Sequence, residues 1–81
     1  MPQERYYRAI TTKYFGPGNV RGSRIKASDG DGHSVTISLP DELRIEEAHR
    51  LAAEKLAEKM NWPGRLVGGK TKDIMVWVFI D

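Results

Sequence analysis

The stretch RIKASDGDGHSVTIS, residues 24–38, decides the fold of this chain. Apolar and polar side chains alternate on both sides of a Gly-Asp-Gly segment, which is typical of two half-buried strands joined by a tight turn. A loop at 30–32 places Ile25 opposite Ile37, and the apolar side chains of both strands then share one face. A loop of four residues would mix the faces. The pattern therefore predicts a hairpin with Gly32 in the left-handed conformation of a bulged turn.

A single helix is predicted over residues 45–60, which are rich in Ala, Leu, Glu and Lys. The helix is expected to end at 61–64, Asn-Trp-Pro-Gly, because the residue before a proline disfavours α geometry. At 100° per residue the side chains that face the core form one stripe, which consists of Ile45, Ala48, His49, Ala52, Ala53, Leu56 and Met60.

Three further segments complete a predicted sheet. Residues 5–15 fit a strand, 65–67 fit a short strand before a glycine-containing turn at 68–73, and 74–80, IMVWVFI, fit a strand buried on both faces. The order β-β-β-α-(β)-β predicts one α+β domain over residues 1–81, with a mostly antiparallel sheet of four to five strands and a helix on one face.

The last predicted strand needs a second cover. One helix can shield only one face of the sheet, and the other apolar face of 74–80 would stay exposed. The N-terminal loop, a second copy of the chain or a partner could cover it. We expect a homodimer.

Composition excludes several classes of protein. The 81 residues contain no cysteine and two histidines, which argues against disulfides, thiolate zinc sites and a cysteine nucleophile. No apolar run approaches the length of a membrane span, and the first five residues do not resemble the start of a signal peptide. No acid, base and nucleophile have a spacing that implicates them in catalysis. We expect a cytoplasmic, non-enzymatic protein without a cofactor, a metal or a membrane contact.

Two motifs resemble ligand-binding loops, and one histidine stands on the helix stripe. Residues 64–71, GRLVGGKT, match the phosphate-loop pattern, but a helix precedes them and a strand follows, the reverse of what that loop requires. Residues 29–32, DGDG, lack the remaining acidic positions of a calcium loop, and a tight turn is the better interpretation. His49 fits a hydrogen-bonded core residue better than a catalytic base.

Basic residues are concentrated near the beginning of the chain. Residues 1–28 hold six basic side chains and one acid, whereas residues 29–62 hold eight acids and four bases. Alternation directs Arg24 and Lys26 away from the predicted helix, and this region could bind phosphates. The alternative is an ordinary polar strand face. The candidate binding residues are the cations Lys13, Arg21, Arg24 and Lys26, with Trp77 as a stacking residue.

Several segments also resemble a group of short proteins encoded by bacterial phages, prophages and plasmids. They are ITTKY (10–14), NVRGSRIKA (19–27), SVTI (34–37), HR (49–50) with AA (52–53), Trp62 with GRLVGG (64–69), and KD (72–73). The group has no assigned activity, so the resemblance assigns no residue a role. It implies a mobile genetic element, whose small proteins often block host machinery.

Two functions follow as hypotheses. The first is a small non-enzymatic binding protein of a mobile element, an inhibitor of a host defence complex such as a CRISPR effector, whose partner is a host protein or ribonucleoprotein. The alternative is a nucleic-acid-binding module that uses the basic region 13–26 and the open sheet face.

Overall fold

Alternating and helical segments form the elements that their patterns predict. The computed structural model describes residues 8–16, 18, 22–39 and 42–80. Five antiparallel strands form one sheet in the order β3-β2-β1-β5-β4, and one helix packs on it, which confirms the α+β prediction. The elements are β1 (Ala9–Phe15), β2 (Arg24–Ser28), β3 (Ser34–Ser38), α1 (Ile45–Met60), β4 (Arg65–Lys70) and β5 (Ile74–Ile80).

The β2–β3 hairpin has the predicted register. Ile25 pairs with Ile37. Gly32 has a φ of 97°, a conformation that glycine adopts without steric cost. The carboxylate of Asp29 accepts the backbone N–H groups of Asp31 and His33, at 2.8 and 3.2 Å. This carboxylate stabilises the turn. Residues 29–32 therefore form a tight turn, as the sequence predicts.

The helix α1 has the predicted bounds and buries most of its predicted stripe. Leu56 is fully buried, and Asn61 ends the helix in the left-handed conformation, with a φ of 56°. Ile45 differs from the prediction, because this first helical residue is 39% exposed. The helix packs mainly on β2, then on β1 and β3, and less on β5.

The β4 strand is longer than predicted. It continues through Gly68 and Gly69 to Lys70, and the turn is confined to 71–73. Gly68 pairs with Trp77, and a Cβ atom at Gly68 would lie 2.4 Å from the indole ring. Glycine therefore stands in the strand to make room for this ring. Because residues 64–71 lie mostly in a strand and lead into β5, they do not form a phosphate loop.

Pairing with β1 determines which face of β5 meets the helix. Ile10 pairs with Trp77 and Thr12 pairs with Met75, and all four side chains are buried. The alternate side chains of β5 therefore lie on the open face of the sheet. The predicted beginning of the first strand, residues 5–7, lies outside the described residues.

Candidate functional site

Three cations lie together on the open face of the sheet. Lys13 of β1 and Lys26 of β2 are directly paired, and Arg24 pairs with Phe15. Thr12, Ile25 and Ala27, which alternate with them, are fully buried. The alternation therefore places the three cations on the side of the sheet away from α1, as predicted for Arg24 and Lys26.

Two of these cations lie close to the ring of Phe15. The Lys13 Nζ atom lies 5.4 Å from the centroid of the Phe15 ring, and the Arg24 Cζ atom lies 5.2 Å from it. A cation at this distance is attracted by the ring quadrupole. We call the surface formed by Lys13, Phe15, Arg24 and Lys26 the basic surface.

Among the described residues, the strands that carry the basic surface contribute no carboxylate to it, and Asp73, which lines a cleft with Lys13, forms no ion pair with it. Strands β1, β2 and β3 contain no Asp or Glu, and the open-face neighbours of Lys26 include Thr36. Like charges directly opposite each other are unfavourable in an antiparallel pair, and Lys13 and Lys26 occupy such opposite positions. Within the described ranges neither lysine has an ion-pair partner. The arrangement favours an external anion.

The other half of the open face is apolar. It is formed by alternate residues of β5 and by Val67 of β4, which pairs with Val78. Val67 is 46% exposed and Ile80 is 36% exposed. The open face thus changes from basic on β1 and β2 to apolar on β5 and β4.

One of the candidate binding residues, Trp77, does not join the basic surface. Trp77 lies on the helix side of the sheet and is 3% exposed, because its pairing with Ile10 points the indole ring into the core. This placement corrects the expectation that Trp77 stacks on a ligand. Arg21 lies outside the described residues.

Trp77 instead belongs to a buried hydrogen-bond relay. Its Nε1–H donates to Thr12 Oγ1 at 3.0 Å, and Thr12 Oγ1 lies 2.6 Å from His49 Nδ1. An indole N–H can only donate, so the Thr12 hydroxyl accepts from Trp77. Among the described residues, His49 Nδ1 is the one other atom that forms a hydrogen bond with Thr12 Oγ1, and we therefore assign the hydroxyl proton to this bond. His49 Nδ1 is then the acceptor, and the proton of the neutral ring resides on Nε2. We call Trp77, Thr12 and His49 the relay.

Burial favours the neutral form of His49. Its pKa is lowered by desolvation, while the nearby Glu46 carboxylate raises it and the Lys70 ammonium lowers it further. A neutral ring with its proton on Nε2 donates a hydrogen bond on its outer edge. This tautomer does not offer the free ring nitrogen that a general base or a metal ligand needs.

The sequence contains a signal for the relay that periodicity alone does not reveal, namely polar residues at positions that are otherwise apolar. Thr12 alternates with Ile10, so it stands at a buried position of β1. A polar side chain at such a position needs a hydrogen-bond partner. His49 on the apolar stripe has the same need, and the two satisfy each other.

In the part of the chain that the structure describes, no cluster of His, Asp or Glu side chains is arranged to hold a metal ion. No described helix is both long and apolar enough to cross a membrane. Comparison of the chain with protein-family models, with curated proteins and with solved structures gives no match.

Proposed function

We propose that this protein is a non-enzymatic nucleic-acid-binding module whose basic surface holds the phosphates of a single strand. The pairing of Lys13 with Lys26, without a carboxylate partner among the described residues, is the observation that supports this most. Phosphates bound between these ammonium groups would remove a repulsion that the free protein retains.

The geometry of the molecule favours a single strand over a duplex. The major groove of a duplex admits a helix or a two-stranded ribbon. The helix α1 carries Glu46, Glu47, Glu54 and Glu58, which phosphates would repel. The open sheet face is broad and accessible, and such faces bind extended single strands in other folds.

A salt titration tests the proposal. Binding of a labelled oligothymidylate is measured by fluorescence anisotropy for the wild type and for the double variant Arg24→Gln with Lys26→Gln. Each phosphate contact on a single strand contributes about 0.7 to the slope of log affinity against log salt. We expect the double variant to bind at least about tenfold more weakly and to lose about 1.4 from that slope.

The matched control is Lys55→Gln, which removes an exposed cation of α1 away from the open face. Its affinity should equal that of the wild type. Equal affinity of the double variant and the wild type would overturn the proposal, as would an equal loss in the control. A labelled duplex of the same length should bind more weakly than the single strand.

The host-complex hypothesis is compatible with this ligand. A ribonucleoprotein of a defence system presents RNA phosphates, and a phage or plasmid protein that holds them would interfere with it. Capture of such a complex from host lysate should then depend on salt and be lost after nuclease treatment, whereas apolar protein association resists both. Capture that survives nuclease would favour a protein surface as the partner.

The apolar half of the open face favours a second copy of the chain as a further partner. The outer edge of β4 is unpaired in the described sheet, and the exposed Val67 lies at its middle. Antiparallel pairing of two copies about Val67 would place Arg65 opposite the partner's Gly69, so no like charges meet. The apolar halves of the open faces of the two copies would then form one continuous surface.

Sedimentation at tens of micromolar tests this homodimer. We expect two chains for the wild type and one chain for Val67→Lys, since a charge at an edge strand opposes pairing. The control is Thr36→Glu on the opposite edge strand β3, which adds a charge opposite Lys26 of unlike sign and should leave the dimer intact. A monomeric wild type would overturn the prediction.

A further inference from the structure

A cleft lies where β1 extends past the beginning of β5. The pairing of these two strands ends with Lys13 opposite Ile74, and the turn at 71–73 flanks the part of β1 that follows. The cleft has a volume of about 740 Å³, within the range of roughly 300–1,000 Å³ that is usual for ligand sites. The residues that line it are Lys13, Tyr14, Leu39, Ile45, Lys72 and Asp73.

Tyr14 provides the cleft with an exposed aromatic ring. Its pairing with the buried Ile25 places Tyr14 on the helix side of the sheet, but the side chain is still 40% exposed. The hydroxyl forms a hydrogen bond with Ser23 Oγ at 3.0 Å, which restricts the rotation of the ring. Gly16 leaves the ring uncovered, since a Cβ atom there would contact it at 3.9 Å. An exposed and anchored ring is suited to stacking, because little side-chain freedom is lost on binding.

The neighbouring Phe15 has a different environment. Its ring centroid lies 5.4 Å from Lys13 Nζ and 5.2 Å from Arg24 Cζ, so two cations already surround it on the open face. Within the described part of the chain, no cation and no second aromatic ring contacts Tyr14. Of the two aromatic residues at the end of β1, Tyr14 is therefore the one whose ring is available to a ligand.

The walls of the cleft fit a nucleobase. Tyr14, Leu39 and Ile45 form an apolar part, in which Ile45 is 39% exposed. Lys13 belongs both to the cleft and to the basic surface, so a phosphate held at Lys13 would bring an adjoining base within reach of the cleft. Asp73 lines the cleft as well, but its carboxylate does not repel a neutral base.

We propose that this cleft binds one nucleobase of a single strand, with the base stacked on the Tyr14 ring and an adjoining phosphate at Lys13. The inference rests on the function proposed for the basic surface and adds to it a residue that contacts a base. Stacking on an aromatic ring tolerates any sequence, since every base has a π face. The cleft therefore makes the protein prefer a nucleic acid to a bare phosphate chain, without making it specific for one sequence.

Two strands of equal length test the proposal, an oligothymidylate and the same sugar–phosphate chain without bases. Fluorescence anisotropy measures the affinity for each over a range of salt concentrations. We expect the wild type to bind the thymidylate strand at least roughly fivefold more tightly, as one stacked base would provide. Tyr14→Ile, which retains a residue typical of strands, should bind the two strands equally. Its salt dependence should match that of the wild type, because no phosphate contact is lost.

The matched control is Tyr14→Phe, which keeps the aromatic ring and removes only the hydrogen bond with Ser23. This variant should keep the preference for the strand with bases. Because the Tyr14 side chain is exposed, both variants should remain folded, and thermal unfolding checks this.

Failure of this proposal is distinguishable from failure of the proposal for the basic surface. Salt-dependent binding of both strands with equal affinity by the wild type would overturn the nucleobase site and leave the basic surface supported. A preference for bases that persists in Tyr14→Ile would also overturn the site, because the bases would then be bound elsewhere. A wild type that binds neither strand would overturn both proposals.

Discussion

The two faces of the sheet differ in whether their polar side chains have partners within the protein. On the helix side, Thr12, His49 and Trp77 are buried, and each has a hydrogen-bond partner in the relay. On the open side, Lys13 and Lys26 stand opposite each other without a carboxylate partner among the described residues. Polar groups on the buried face stabilise the fold, whereas those on the open face leave charge available to a ligand.

This difference sets the expected size of each mutational effect. Removing a buried group leaves a cavity or an unpaired partner, which costs far more than removing an exposed charge. The comparison fails if substitutions on the two faces have equal effects on stability. It also fails if open-face substitutions unfold the protein before they affect binding.

The largest loss of stability is expected at the centre of the helix side. Leu56 is fully buried under the sheet, and Leu56→Ala should lower the free energy of unfolding by about 2–5 kcal/mol. The control Glu54→Ala changes an exposed side chain two residues earlier and should have little effect. Urea denaturation measures both, and equal shifts of the midpoint would contradict the observed orientation of α1.

The relay is the next most sensitive feature. Thr12→Val keeps the side-chain shape but leaves the Trp77 Nε1–H and His49 Nδ1 without partners, at a total cost of roughly 1–3 kcal/mol. The neighbouring Thr11 lies on the open face, and Thr11→Val is the matched control. A loss no larger for Thr12→Val than for Thr11→Val would show that the relay does not stabilise the fold.

Adjacent glycines of β4 provide a third contrast. Gly68→Ala would push a methyl group into the Trp77 ring, and overpacking of this kind costs roughly 1–3 kcal/mol. At Gly69 a Cβ atom would meet nothing within 4 Å, so Gly69→Ala should be neutral or slightly stabilising. Thermal unfolding separates the two variants, and similar melting temperatures would mean that the indole ring does not lie over Gly68.

The titration of His49 gives a pH-dependent prediction. Its folded pKa is below the ordinary value of 6.5 because desolvation disfavours the charged ring. Above pH 6.5 the ring is neutral in both states, and its contribution to stability is fully present. As the pH falls from 6.5 through the folded pKa, the unfolded state binds the proton first and this contribution is lost. His49→Gln should flatten the dependence of stability on pH in that window.

Much of the fold, but less of the site, was predictable from the sequence. Alternation predicted the β2–β3 register, composition and the proline after Trp62 predicted the bounds of α1, and helical periodicity predicted its buried face. The extent of β4 was not predictable from local pattern, because two adjacent glycines usually indicate a turn and here one of them accommodates Trp77.

The candidate site likewise has a part that was predictable from the sequence and a part that was not. Alternation placed Arg24 and Lys26 on the open face. The relay joins residues distant along the chain, and the pairing of β1 with β5 that assembles it depends on a strand order that periodicity does not encode. The face on which Trp77 lies follows from that same pairing.

The smallest effect on stability is expected on the basic surface, where Lys26→Gln removes one of two opposed ammonium groups. Directly opposed like charges destabilise an antiparallel pair, so this variant should unfold with unchanged or slightly higher free energy, by about 0–0.5 kcal/mol. Lys55→Gln on α1 is the control, and its stability should also be nearly unchanged. The two variants should differ in their affinity for oligothymidylate. Lys26→Gln should bind it more weakly than the wild type, whereas Lys55→Gln should not. A clear loss of stability in Lys26→Gln would mean that this lysine supports the fold, and the contrast between the two faces would then not hold.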